Sequence, residues 1–345
     1  MNYPMPFKEW ARYAKVRGPL PVHAPDANDW QKGLLFTPEL LACHRHHLVQ
    51  AQGPDALHWL LAQALYSNLE FTQVLEHQVV NTAVYRIARN DSGFELPPDM
   101  VIDAWNILVD DSYHGKLTAD LTRLVQAQTG IPSTSAKPPA FYERLQREFA
   151  RADSSIAELL PLFFCSISET LITKNLVEIP RDPRVIDAVR QVMKDHAEDE
   201  SRHHRFFTSF IALTWPQLSE RLKQRIGPLL PSFIAIFTDT DLVAVRGQLH
   251  DIGLDQAQAD EVINDCYSPQ QVAQVLREAS RSCMGTLRKV GVLDSAHVQD
   301  ECERLGLLDR LPEDECERLG LLDSLPEDEC ERLGLLDSLP EKALS

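Results

Sequence analysis

The sequence predicts an all-α protein whose core is a four-helix bundle with additional helices around it. Three observations carry that prediction. Apolar residues recur at three and four positions from about residue 38 to about residue 290, the spacing of a buried helix face. Gly and Pro interrupt this pattern at intervals of roughly 30 residues, where helices should stop and start. No alternating apolar and polar run competes for a strand assignment.

The first rod is "ALHWLLAQALYSNLEFTQVLEHQVVNTAVYRIAR", residues 56–89, which begins after Gly53-Pro54 and precedes the break at Pro97-Pro98. The second, "DMVIDAWNILVDDSYHGKLTADLTRLVQAQ" at 99–128, stops at Gly130, a residue suited to a helix C-terminus. A third runs from Phe141 to Leu176, between Pro138-Pro139 and Pro180. The fourth, "PRVIDAVRQVMKDHAEDESRHHRFFTSFIAL" at 183–213, ends before Pro216. Gly227-Pro228 and Pro231 divide the rest of the body into further helices.

From Asp300 to Glu341 the chain repeats itself as "DECERLGLLDRLPE", "DECERLGLLDSLPE" and "DECERLGLLDSLPE". The expected division is therefore 1–294 for the bundle domain and 295–345 for an acidic tail of three 14-residue repeats. Pro near the start of each unit, acids in the first turn and Gly after the leucines give short helical turns. The tail carries -10 of the formal net charge of -17, so the body is only mildly acidic. It reads either as a flexible acidic appendage or as a docking or self-association arm.

With 345 residues, 44% of them hydrophobic and 25% charged, the chain can bury a substantial core. The net charge of -17, with no long Lys/Arg cluster, excludes a nucleic-acid partner. The N-terminal "MNYPMPFKEWARYAK" lacks a secretory apolar region, and the longest apolar-rich run, "IAELLPLFFCSI", is too short to span a bilayer. A cytoplasmic protein with no membrane partner is expected. The seven cysteines include no CxxC pair, so neither a disulfide framework nor a zinc ribbon is indicated. "CHRHH" (Cys43 to His47) lacks companion acids and reads as a solvated helix face.

The chemistry concentrates elsewhere. In "HAEDESRHHRFF" (196–207), His196, Glu200 and His203 fall at i, i+4 and i+7, within about 60° of one another on a helix. The other rods supply matching groups: Glu76 in "QVLEHQVVN", Asp111 and His114 in "VDDSYHGK", and Glu169 in "FFCSISETLI". A dinuclear site in a bundle core uses one Glu from each of two helices and an acid-x-x-His pair from each of the other two, because i and i+3 share a face. Glu76 and Glu169 are the single acids; Asp111 with His114 and Glu200 with His203 are the pairs.

Two carboxylates about 5 Å apart repel by roughly 3 kcal/mol at an effective dielectric of about 20, so four in one core require cations among them. Oxygen ligands mixed with imidazole and no thiolate suit iron or manganese. Asp110 and Asp199, each preceding a ligand, can accept the outer ring N–H of the opposite helix's histidine: Asp199 for His114 and Asp110 for His203.

With these residues in place, the chain resembles the para-aminobenzoate N-oxygenase family of ferritin-like di-iron enzymes. The distinctive feature is a third histidine four residues before the last Glu-x-x-His, which "HAEDESRH" supplies as His196. The resemblance covers roughly residues 40 to 290 and excludes the repeats. It implies a ferritin-like bundle, two iron ions bound by Glu76, Asp111, His114, Glu169, His196, Glu200 and His203, O2 as co-substrate and an external electron donor. The family has Glu where this chain has Asp111, and Asp, one methylene shorter, is expected to reach one metal only or draw its helix inward.

The implied activity is O2-dependent oxidation of a primary amine towards hydroxylamine, nitroso or nitro product, the amine being an arylamine or derived from an amino acid, free or tethered to a carrier protein. The state of association is left open, a homodimer included. Trp105, Phe163, Phe164 and Phe207, about a turn from the ligands, are the expected pocket lining. The ligand set by itself also fits a di-metal oxidase acting on carbon, or a non-catalytic iron-binding protein, against which the extra His196 counts.

Overall fold

The structure, a computed structural model, describes residues 3–18, 30, 33–134, 138–171 and 174–308. It is all-α; among the described residues the sole β pairing is an isolated parallel bridge between Leu34 and Val185. After a short helix α1 (Trp10–Tyr13) and α2 (His47–Ala51), the first bundle rod comprises α3 (Pro54–Val74), a widened π-type turn over Leu75–Val80, and α4 (Asn81–Ala88). The second rod is α5 (Pro98–Thr129). Pro at its first turn and Gly130 in the left-handed conformation at its end delimit it as the sequence indicates.

The third rod differs from the continuous helix expected over Phe141–Leu176. It divides into α6 (Ala140–Arg151) and α7 (Leu160–Ser168). The break is local chemistry: the Asp153 carboxylate accepts a hydrogen bond from the Ser155 backbone N–H at 2.8 Å, a turn that competes with the helix, and Pro161 then restarts it. Apolar periodicity continued across this break and hid it. Leu160 and residues 162–168 of α7 are all buried, which is why this segment reads as almost uniformly apolar.

The fourth rod is α9 (Asp187–Thr214), reached after α8 (Lys174–Glu178). Its N-terminal half packs Val189, Val192 and Met193 into a cluster with Leu61, Leu65 and Tyr66 of α3 and Leu117 and Leu121 of α5. Its C-terminal half sets Phe206, Phe207 and Phe210 into an aromatic core, where Phe206 meets Phe207 edge-to-face at 5.0 Å. The polar centre lies between these two apolar regions.

Gly115 on α5 admits a close approach of the π-turn. A Cβ there would lie 1.7 Å from His77 Nε2, so a larger residue would displace the exposed His77 side chain from its place beside His114.

Further helices complete the body: α10 (Glu220–Ile226), α11 (Leu229–Thr238), α12 (Leu242–Asp251), α13 (Gln256–Cys266), α14 (Pro269–Lys289) and α15 (Ala296–Arg304). The stretch Glu220–Asp251 is long and apolar enough in composition to cross a membrane. In the fold it is three separate helices, α10 to α12, parted at Gly227-Pro228 and at residues 239–241.

The first compact unit extends through Leu307, beyond position 294 where the sequence places the domain boundary. The opening residues of the first repeat belong to α15, which buries Val298 and Cys302, while the Glu301 carboxylate accepts from Ser232 Oγ at 2.8 Å. The remainder of the repeats, from residue 309 on, lies outside the described residues. Relative to a chain ended at Leu308, one ended at Asp294 should lose about 2–5 kcal/mol of stability, because it removes the side chains that fill this seat. Thermal unfolding of the two truncated chains checks this.

Candidate metal centre

Each bundle rod delivers its group through a local feature. Glu76 lies within the π-turn, Asp111 and His114 lie one turn apart on α5, Glu169 caps the C-terminal end of α7, and His196, Glu200 and His203 run along one stripe of α9. All seven converge in two overlapping groups. In one, ligand atoms of Glu76, His114, His196 and Glu200 lie within 4.8 Å of one another; in the other, those of Asp111, Glu200 and His203 do. Glu169 joins the second group, with Oε2 3.7 Å from His203 Nδ1.

Glu200 is shared. Its Oε1 is 3.1 Å from His203 Nδ1, 3.4 Å from His196 Nε2 and 3.6 Å from His114 Nδ1. Glu76 Oε1 stands 2.8 Å from His196 Nε2 and 3.5 Å from His114 Nδ1. Asp111 faces only the second group, with Oδ1 3.4 Å from His203 Nδ1, as suits its shorter side chain.

Behind the histidines stand two aspartates that are fully buried. Asp199 Oδ2 is 3.1 Å from His114 Nε2, and Asp110 Oδ2 is 3.5 Å from His203 Nε2. Asp199 accepting the outer N–H of His114 turns that ring's Nδ1 towards the centre, whereas His203 Nε2 and Asp110 Oδ2 face each other without a hydrogen bond.

Three residues of this outer layer were not read from the sequence. Arg202 forms an ion pair with Asp199 and lies 3.7 Å from Asp110 Oδ2, so one guanidinium balances both buried charges. Its i, i+3 spacing from Asp199 was the available signal. Trp10 Nε1 donates to Asp110 Oδ1 at 2.8 Å, and Phe7 stacks on His203 with ring centroids 5.9 Å apart. A contact across a hundred positions leaves no local pattern.

Burial raises every carboxyl group here, and the neighbours decide the outcome. At Glu76 burial is outweighed by His196 and His114, which hold it below its ordinary value; at Glu200 it is outweighed by His203 and His196, which hold it well below. At Asp111 burial, joined by the charges of Glu76, Glu169 and Glu200, overcomes His203 and pushes the group well above the carboxylate range. Burial and Glu200 push Glu169 up to about 8. Burial would lower the imidazoles, yet the facing acids raise His114 and carry His196 and His203 well above their usual value. Without cations, this cluster holds protons where metals would bind.

The donors fit metal ions on a further ground. Glu76 Oε2, both Asp111 oxygens, His114 Nδ1, Glu169 Oε2, Glu200 Oε1 and His203 Nδ1 are buried with no hydrogen-bond partner. Each such atom costs about 1–3 kcal/mol when left unpaired, and these converge on a common space. Carboxylate oxygen and imidazole nitrogen suit two iron or manganese ions, whose charge would cancel that of four carboxylates.

Of the expected pocket lining, Phe163, Phe164 and Phe207 are buried, with rings engaged by Phe94, Trp215, Phe149, Phe233 and Phe206. Trp105 requires correction. It is 44% exposed and meets Tyr85 edge-to-face on the surface, because six residues along α5 separate it from Asp111 by about 240° of rotation. The "CHRHH" stretch is also less solvated than expected: Cys43 is buried, and His46 accepts from the Leu48 N–H to cap α2 while its Nε2 lies 3.3 Å from Asp265 Oδ2. His46, His47 and Glu261 bring ligand atoms within 4.8 Å of one another at this partly exposed position.

Comparison with known proteins agrees with the geometry. A family model described as P-aminobenzoate N-oxygenase AurF matches residues 17–291. A Streptomyces thioluteus protein named 4-aminobenzoate N-oxygenase is 23% identical over 181 residues, which make up 50% of this chain and 52% of that relative. The match thus spans about half the length of the relative.

Proposed function

This chain belongs to the P-aminobenzoate N-oxygenase AurF family, and on that premise we propose that it is an O2-dependent non-haem di-iron N-oxygenase, oxidising a primary amine towards the hydroxylamine, nitroso or nitro level. The observation that carries this reading is the convergence of Glu76, His114, His196 and Glu200 with Asp111, Glu169 and His203. The substrate class is an arylamine, as the name of the Streptomyces thioluteus relative suggests, or an amine derived from an amino acid, free or on a carrier protein. The reaction is assigned to the cytoplasm, the catalytic domain to the body and a separate role to the acidic repeats.

Iron, if held by these residues, would supply O2 activation. The chain's own groups do the rest. Glu200 ties the two halves together, and the four carboxylates would neutralise two divalent cations so that the buried site would carry little net charge. His196 adds a neutral donor without adding charge. Asp199 keeps the outer proton on His114 Nε2, which fixes the ring's orientation. The aromatic core of Phe206, Phe207 and Phe210 keeps water from one side.

The test is anaerobic loading with Fe(II), then isotopically labelled O2 and a panel of aromatic and aliphatic amines, with products identified by mass spectrometry. Labelled oxygen bonded to nitrogen is expected. Label on carbon would transfer the chain to the carbon-oxidase reading, and a folded sample that binds no iron would remove both.

A further inference from the structure

The two histidines with aspartates behind them lead to different ends. His114 passes through Asp199 to Arg202, a guanidinium that neither gives nor takes an electron. His203 passes through Asp110 to the indole of Trp10, an oxidisable ring that is half-buried at the surface. This second path crosses a 3.5 Å separation between His203 Nε2 and Asp110 Oδ2, which is not a hydrogen bond, and then the 2.8 Å hydrogen bond from Trp10 Nε1 to Asp110 Oδ1. Two histidines with the same inner role thus have one electrically inert outer end and one redox-capable outer end.

Anchoring the N-terminal segment does not require the indole N–H. Tyr3 Oη donates to Asp103 at 2.7 Å, Lys15 forms ion pairs with Asp195 and Glu198, and Phe7 stacks on His203. Arg202 already faces Asp110. Beside Trp10 the same segment exposes Lys8, Arg12 and Arg17, which make no ion pair among the described residues, against the single exposed acid Glu9, on a chain whose net charge is -17. A basic collar around an indole suits an acidic electron carrier, since charge complementarity guides encounter and orientation.

We infer that Trp10, Asp110 and His203 form the route by which electrons enter the metal centre, and that the surface around Trp10 receives a reduced, acidic one-electron carrier protein. This rests on the reading of the centre as a di-iron site. Oxidation of an amine to a hydroxylamine consumes one O2, two electrons and two protons and yields one water. Each of two carrier molecules gives up one electron and is oxidised by one unit. The electrons pass through Trp10, and the protons come from solvent. Trp10 and Asp110 are positioning residues in this scheme, since neither touches substrate.

The experiment uses the iron-loaded, air-oxidised full chain and a reduced [2Fe–2S] ferredoxin as probe. Loss of the ferric absorbance is tracked by stopped flow, with dithionite as a small reductant that needs no docking. Trp10→Phe should slow reduction by ferredoxin roughly tenfold more than it slows reduction by dithionite, both rates being taken per bound iron. The wild-type ferredoxin rate should fall as salt rises, and Lys8→Glu with Arg12→Glu should slow it further. Should Trp10→Phe lose iron, Trp10→His decides, because it retains a ring N–H for Asp110 but not an easily oxidised ring; slow ferredoxin reduction is again expected. Wild-type rates with ferredoxin in the deciding variant, or equal slowing with both reductants, would overturn the route while leaving the di-iron reading intact. A wild-type chain that binds no iron overturns both.

Discussion

Glu200→Ala should empty both halves of the centre, with iron content falling from about two ions per chain towards none and N-oxygenation lost with it. The effect exceeds that of any other single ligand because Glu200 Oε1 lies against His203, His196 and His114 at 3.1, 3.4 and 3.6 Å. Removing it takes one ligand from each group and leaves three raised imidazoles facing fewer acids. Asp111→Asn is the control. Asp111 belongs to the His203 group alone, so this variant should keep about one ion, bound by Glu76, His114, His196 and Glu200. Metal analysis after desalting distinguishes the two patterns, and equal loss in both variants would remove the bridging role from Glu200.

The same protons give a pH dependence. Burial opposes the charge on His196 and His203, but the facing acids raise both well above the ordinary value, and burial with neighbouring charge raises Asp111 and Glu169. Metal must displace these protons. Iron affinity therefore falls as pH is lowered, and loading at neutral pH releases protons into a weakly buffered solution, where a pH indicator can count them.

How much the sequence reveals depends on the range of the interaction. The stripe of His196, Glu200 and His203 is a property of one helix, so spacing alone reveals it. Asp111 and His114 are the same case on α5. Bundle order then brings Glu76 and Glu169 within reach, because four long apolar-periodic rods have few ways to pack. The misreadings have equally local causes. The third rod breaks at Asp153 because a side-chain turn competes with helix where the apolar period continues, and Trp105 was placed inward by its apolar character although its angle on α5 turns it out. The π-turn around Glu76 gives no periodic signal. Trp10 meeting Asp110 depends on how the N-terminal segment crosses α5, which no pattern within either segment encodes.

Arg202→Ala should cost about 3–5 kcal/mol of stability in the metal-free protein, more than a core truncation of similar size usually does, because it strands two buried charges. Asp110 and Asp199 are fully buried, and Arg202 is the cation between them. Burial alone would raise Asp199; the hydrogen bond and charge of His114, together with Arg202, keep it below the ordinary carboxylate value. A carboxylate so depressed stabilises the fold above its unfolded pKa, near 4, and that contribution disappears as pH falls through the lower folded value. With Arg202 gone, Asp199 moves upward and takes a proton more easily. The gap between variant and wild type should be widest near neutrality and close as the solution is acidified towards pH 4, when protonation relieves the stranded charge. Urea unfolding at several pH values measures this. Combining Arg202→Met with Asp199→Asn should recover part of the loss, since it removes the charge along with its partner, whereas a deficit independent of pH and unrelieved by Asp199→Asn would mean that Arg202 acts by packing alone.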